Sequence, residues 1–121
     1  MIAIRGATTA EENSREAVLS ATRELLAEML RSNALSREAL VSIFFTGTPD
    51  ITSAFPAEAA RQIGLTDVAL MGAQEMGVEG ALPLCIRVML HADVHMPKGD
   101  IRHIYLRGAT KLRPDLVLRH A

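Results

Sequence analysis

Cys85-Ile86-Arg87-Val88-Met89-Leu90 has the composition of a β-strand: apolar, with β-branched residues and no glycine or proline. Side chains on a strand alternate between faces. Arg87 therefore shares a face with Cys85 and Met89, while Ile86, Val88 and Leu90 take the other. Both faces are otherwise apolar, so the strand belongs inside a sheet and carries a guanidinium into it. An unpaired buried charge costs about 3–5 kcal/mol, so Arg87 is expected to meet an anionic partner.

Beyond this strand, Pro97-Lys98-Gly99-Asp100 has turn residues and leads to a second strand, Ile101–Leu106. There Tyr105 is expected to share a face with Ile101 and His103. Upstream, Gly72–Pro83 is predicted to be a loop holding three glycines, preceded by a short strand over Val68–Met71. Pro56 suits the first position of a short helix that Gly64 closes. Val41–Phe45 is expected to be a buried strand ending at Thr46-Gly47-Thr48-Pro49-Asp50, and Ser36–Leu40 at most a helical turn. The long helix is clear: Ala17, Val18, Ala21, Leu25 and Met29 repeat at helical spacing, with Arg15, Glu24, Glu28 and Arg31 on the polar side. Asn13 with Glu16 three residues later forms a capping-box pattern, and Ser32-Asn33 is a plausible stop. Met1–Arg5 suits a first strand, with Arg5-Gly6-Ala7-Thr8-Thr9 as a turn. One long helix against about five strands gives an α+β class with short helical turns, not a doubly wound α/β sheet.

The chain has 121 residues, the length of one domain at roughly 100–200 residues each, here spanning 1–121. It is 49% hydrophobic and 22% charged, which excludes general disorder. A net charge of −1 argues against a nucleic-acid binder that relies on phosphate contacts. With one cysteine no intrachain disulfide is possible. No apolar run approaches the ~20 residues of a membrane span, and the start carries no leader pattern; a cytoplasmic protein without membrane or nucleic-acid partners is expected.

Eleven arginines stand against two lysines, and three of them are placed in or beside apolar runs: Arg5, Arg87 and Arg113. Each alone suits a structural ion pair. Together they suit an anionic ligand with more than one charge, because the planar guanidinium matches carboxylates. Glu75, in a glycine-flanked loop, and Tyr105 are the next candidates. His91, Asp93 and His95 alternate, with His103 on an adjoining strand, but the spacing is loose for zinc or iron. Cys85 has no indicated base and suits a small core residue. No phosphate-loop or dinucleotide glycine pattern occurs.

The chain resembles the small monofunctional bacterial chorismate mutases of the trimeric mixed α/β type. The resemblance lies in Arg5-Gly6-Ala7-Thr8-Thr9, Thr48-Pro49-Asp50, Phe55-Pro56-Ala57 with Arg61, and Gln74-Glu75-Met76. It continues through Cys85-Ile86-Arg87-Val88-Met89, Ile101-Arg102-His103-Ile104-Tyr105-Leu106 and Leu112-Arg113-Pro114-Asp115-Leu116. It implies a pseudo-α/β-barrel homotrimer whose sites lie between subunits, converting chorismate to prephenate without cofactor or metal. By the same resemblance, Arg5 and Tyr105 bind a substrate carboxylate. Arg87 reaches a carboxylate and the ether oxygen, and Glu75 accepts the ring hydroxyl. The backbone of Met71, Gly72, Ala73 and Gln74 lines the pocket. Phe55, Arg61, Leu112 and Arg113 correspond to pocket or lid positions.

Three positions depart from the family pattern. Gly72 stands where a cysteine is often found, Glu58 where a lysine is often found near the lid, and Met71 where a threonine is common. Glu58 would add negative charge on a dianion's route in. Two other functions remain open: a trimeric imine or enamine deaminase, whose characteristic motifs are missing, and a non-catalytic carboxylate-binding trimer.

Overall fold

A computed structural model describes residues 1–112 of the chain. In chain order the elements are β1 (Ile2–Thr9), α1 (Arg15–Ser32), β2 (Leu40–Gly47), α2 (Ala57–Gln62), β3 (Ala69–Gln74), β4 (Cys85–Ala92) and β5 (Ile104–Tyr105). Short 3-10 turns cover Arg37–Ala39, Lys98–Asp100 and Arg107–Lys111. The strands form one mixed sheet in the order β3-β2-β4-β1-β5. β4 runs antiparallel to both β1 and β2, whereas β2–β3 and β1–β5 are parallel. This is the α+β class that the sequence predicts.

β4 sits at the centre of the sheet. Ile86, Val88, Leu90 and Ala92 point to one face and are at most 3% exposed. Register places Ile4 opposite Leu90, and Phe45 and Ile43 opposite Val88 and Leu90 on the other side. α1 closes this face with Leu25, Leu26 and Met29, all fully buried, and Ile104 of β5 joins the same core. The helix approaches most closely over Gly6: a Cβ there would lie 2.5 Å from Met29 Sδ and 3.1 Å from Leu25 Cδ1. Only hydrogen fits between this strand and this helix.

That contact explains the main difference in β1. The small residues Gly6–Thr9, expected to form a turn, continue the strand, pairing with β4 as far as Thr9↔Cys85. Their smallness serves close packing, not a bend. The helix cap also moves by one residue. Ser14 is the N-cap and accepts a hydrogen bond from the Ala17 amide at 3.2 Å. Asn13 instead accepts from the Thr52 and Ser53 amides and donates to Thr52 Oγ1, tying the start of α1 to the loop after β2. α1 ends at Ser32 with Asn33 as its cap, as expected.

β2 is longer than Val41–Phe45 and buried on one face only, with Val41 and Phe44 each 43% exposed. β3 runs on through Gly72 to Gln74, so the first three residues of the expected loop belong to the sheet edge. β5 is shorter than Ile101–Leu106: only Gly6↔Ile104 and Ala7↔Tyr105 pair. Where the ladder stops, the His103 ring replaces it, Nδ1 accepting the Arg5 amide at 2.9 Å. Ile101 consequently packs on the helix-side core, away from Tyr105. Pro56 caps α2, and Gly64 follows the helix with φ +88°, a conformation suited to glycine. No helix among the described residues is long and apolar enough to cross a membrane.

Candidate active site

The face of the sheet away from α1 is open. Arg87 lies directly between Ala7 of β1 and Thr46 of β2, and Met89 lies between Arg5 and Phe44. These residues line a concavity of about 190 Å³ together with Gly6, Glu75, Val88 and Tyr105. Arg5, Glu75, Arg87 and Tyr105 are far apart in sequence, yet the sheet brings all four to one place.

Each is held by a different element. Arg87 projects from the rigid central strand. Its side chain is 53% exposed, and its Nε lies 3.6 Å from Glu75 Oε2. The expectation that Arg87 has an anionic partner is met, but not by burial: the guanidinium stands over a cleft. At 3.6 Å the pair attracts without forming a hydrogen bond, and the half-exposed guanidinium faces the cleft. Glu75 follows β3 and is fixed twice. Its amide donates to Gly47 O at 2.8 Å, and its Oε2 accepts the Thr46 hydroxyl at 2.8 Å. Arg5 is half-buried on β1, its amide anchored by His103. Tyr105 is half-buried on the two-residue β5.

The remaining expected residues lie elsewhere. Phe55, Arg61, Met71, Gly72, Ala73 and Gln74 line a second, wider concavity of about 870 Å³, beside β3 and α2. Phe55 is 79% exposed and Met71 62%. Arg15 and Glu58 share this second concavity as an ion pair between α1 and α2. The charge of Glu58 is thus offset by Arg15, and the pair adds no net charge at the rim. Leu112 ends the last 3-10 turn, its amide donating to Ala109 O at 3.0 Å, and lines neither concavity. Arg113 lies outside the described residues.

Residues 1–116 match the family model of chorismate mutase type I. The chain belongs to the type I chorismate mutase family. It is 54% identical over 114 residues to chorismate mutase AroH of Thermus thermophilus, covering 93% of each chain. It is 41% identical over 116 residues to chorismate mutase AroH of Bacillus subtilis, covering 95% of this chain and 91% of that one. The solved structure of a chorismate mutase from Clostridium thermocellum superposes with a TM-score of 0.90 at 46% identity, over 92% of this chain and 99% of that one.

Against this type I fold, several side chains take clear roles. Cys85 is 4% exposed, and burial pushes its thiol above the usual range, against the pull of neighbouring Arg87. A thiol held protonated is a core residue rather than a nucleophile. His91 faces Ser42 and meets the Phe44 ring edge-on, while His103 serves the Arg5 amide. Asp50 accepts from the Thr48 hydroxyl and from the Leu84 amide at 2.9 Å, holding the entry to β4. Burial opposes its charge, but these bonds outweigh it and set the carboxyl below the ordinary range. Thr46, the direct support of Glu75, is the functional residue that sequence reasoning misses. Its only signal is a polar residue on the same strand face as Phe44, and its place opposite Arg87 depends on register between distant segments.

Proposed function

We infer that this chain, a chorismate mutase, converts chorismate to prephenate at clefts shared between the subunits of a pseudo-α/β-barrel homotrimer. One observation carries the shared-cleft reading. The residues matched to the family's site divide between two concavities on one chain, four in the first and six in the second. A second copy that brings its wide concavity over the first copy's Arg5–Glu75–Arg87–Tyr105 cluster completes the site. Exposed Phe44, Phe55 and Met71 are then covered as well.

The chemistry suits this arrangement. Chorismate is a dianion with an ether bridge. Within the one molecule a carbon–oxygen bond breaks while a carbon–carbon bond forms. No proton moves, no covalent intermediate is needed, and neither metal nor cofactor has a step to perform. The protein has to hold the side chain folded over the ring and stabilise charge as it separates. Negative charge grows on the ether oxygen, so a fixed cation there binds the transition state more tightly than the substrate. Arg87, on the central strand and facing the cleft, takes that role. Glu75, locked by Thr46 and Gly47, receives the ring hydroxyl. Arg5 and Tyr105 take a carboxylate. The backbone of residues 71–74 from the neighbouring copy walls the ring, with Phe55 and Arg61 at the rim.

On this reading the enzyme serves aromatic amino-acid biosynthesis, acting in the cytoplasm as a single domain over residues 1–121. The test is direct. Chorismate should lose its ultraviolet absorbance on addition of the purified chain, and an Arg87→Ala chain should leave it unchanged over the same time. Full turnover by a protein that sediments as a monomer would refute the shared cleft.

A further inference from the structure

Tyr105 sits two residues before a strained backbone. Arg107 has φ +51°, in the left-handed region that a side chain with a Cβ adopts only at a cost. Its guanidinium joins three segments. Nε donates to Glu24 Oε1 at 3.1 Å and one terminal nitrogen to Glu24 Oε2 at 3.4 Å, both on α1. The other terminal nitrogen donates to Glu11 Oε1 at 3.3 Å, in the loop before α1. The main chain is pinned to β1 on either side: the Leu106 amide donates to Ala7 O at 2.9 Å and the Gly108 amide to Thr9 Oγ1 at 3.0 Å. β5 itself pairs through two residues only, too few to fix a strand's place unaided.

We propose that Arg107 is a positioning residue for the reaction: its fork on Glu24 and Glu11 holds the left-handed turn that fixes Tyr105 in the anion-binding cleft. The proposal rests on the substrate role given to Tyr105 above. Arg107 lines neither of the two concavities and touches no substrate. Its effect reaches the site through the backbone of residues 105–107.

The chain has one tyrosine and no tryptophan, so tyrosine emission reports on Tyr105 alone. Iodide quenching of that emission, KM and kcat are measured on the parent and on Arg107→Ala, Arg107→Gly and Glu24→Gln. In Arg107→Ala, quenching should rise about twofold and KM about five- to tenfold, with kcat within about twofold, the pattern of lost ground-state and transition-state binding together. Arg107→Gly removes the backbone penalty but also lacks the fork, so its KM should rise as in Arg107→Ala. Glu24→Gln, which keeps the fold and one acceptor, should show about a two- to threefold rise. Parental KM and quenching in Arg107→Gly would mean that relief of strain suffices, and would overturn the clamp. Unchanged Tyr105 quenching in Arg107→Ala overturns it too. A freed Tyr105 with unaltered KM supports the clamp and overturns instead the substrate role of Tyr105.

Discussion

Leu90 and Arg87 lie three residues apart on β4 and face opposite ways. Leu90 is fully buried against Ile4, Ile43 and the α1 side of the sheet. Arg87 stands half-exposed over a cleft beside Glu75. The two faces of one sheet therefore answer to different demands. The helix side is built from many interchangeable apolar contacts, each contributing part of the stability. The open side depends on a few charged groups whose value lies in where they point. It also leaves Phe44 and Met71 uncovered.

This contrast can be broken by exchanging the effects of the two residues. Arg87→Ala should lower kcat by about a thousandfold or more, since loss of one preorganised donor costs about 3–4 kcal/mol and a charged one more. Its unfolding midpoint in urea should stay near the parent's. Arg87→Lys should recover little, because a point charge does not replace the fork. Leu90→Ala should do the reverse, lowering unfolding free energy by about 3 kcal/mol while kcat per folded site stays near the parent's. An Arg87→Ala chain with the parent's kcat, or a Leu90→Ala chain with the parent's stability, would erase the distinction between the faces.

A smaller effect belongs to Asp50, in the loop after β2. Its carboxyl titrates below the ordinary range in the folded chain, so its contribution is complete above the unfolded value near 3.9. That contribution is lost as pH falls through the lower folded value. The side chain is partly exposed, and screening keeps the contribution below about 1 kcal/mol. Asp50→Asn should therefore flatten the loss of stability between about pH 5 and pH 2; an unchanged acid limb would dissociate Asp50 from the Leu84 anchor. Smaller again, Glu58→Gln leaves Arg15 unpaired at the rim of the wide concavity. It should raise kcat/KM about twofold at low ionic strength and lose that gain in 0.5 M salt, where the screening length is only about 4 Å. A fall in kcat/KM at low salt would show that Glu58 itself is needed.

The two faces were not equally legible in the sequence. α1 could be found because its apolar residues recur at helical spacing, and β4 because it is an unbroken apolar run with β-branched residues. The cap moved from Asn13 to Ser14 because a loop contact from Thr52 and Ser53 competes for the asparagine. Gly6–Thr9 imitated a turn because the residues that let a helix approach a strand are the small ones that also make loops. β5 shrank because a histidine ring takes over a backbone bond, which no local pattern announces. On the open face, Arg5, Glu75, Arg87 and Tyr105 were visible as motif strings, and the fold brings them together. Thr46 was not, since its importance comes from register across two strands. The division of the site between two concavities was likewise invisible to local pattern, and only the family resemblance suggested it.

That division is the central claim, and mixing inactive chains tests it. Arg87→Ala disables the first concavity. Ala73→Trp fills the second at an exposed edge-strand position without touching the core. Each variant alone should be inactive. Co-refolded in equal amounts, mixed trimers would contain sites that take an intact Arg87 half from one variant and an intact Ala73 half from the other. Random assembly makes about a quarter of the sites whole, so about a quarter of the parental activity should return. Activity no greater than the sum of the two separate variants, in trimers verified as mixed, would place both halves of the site within one chain and contradict the account.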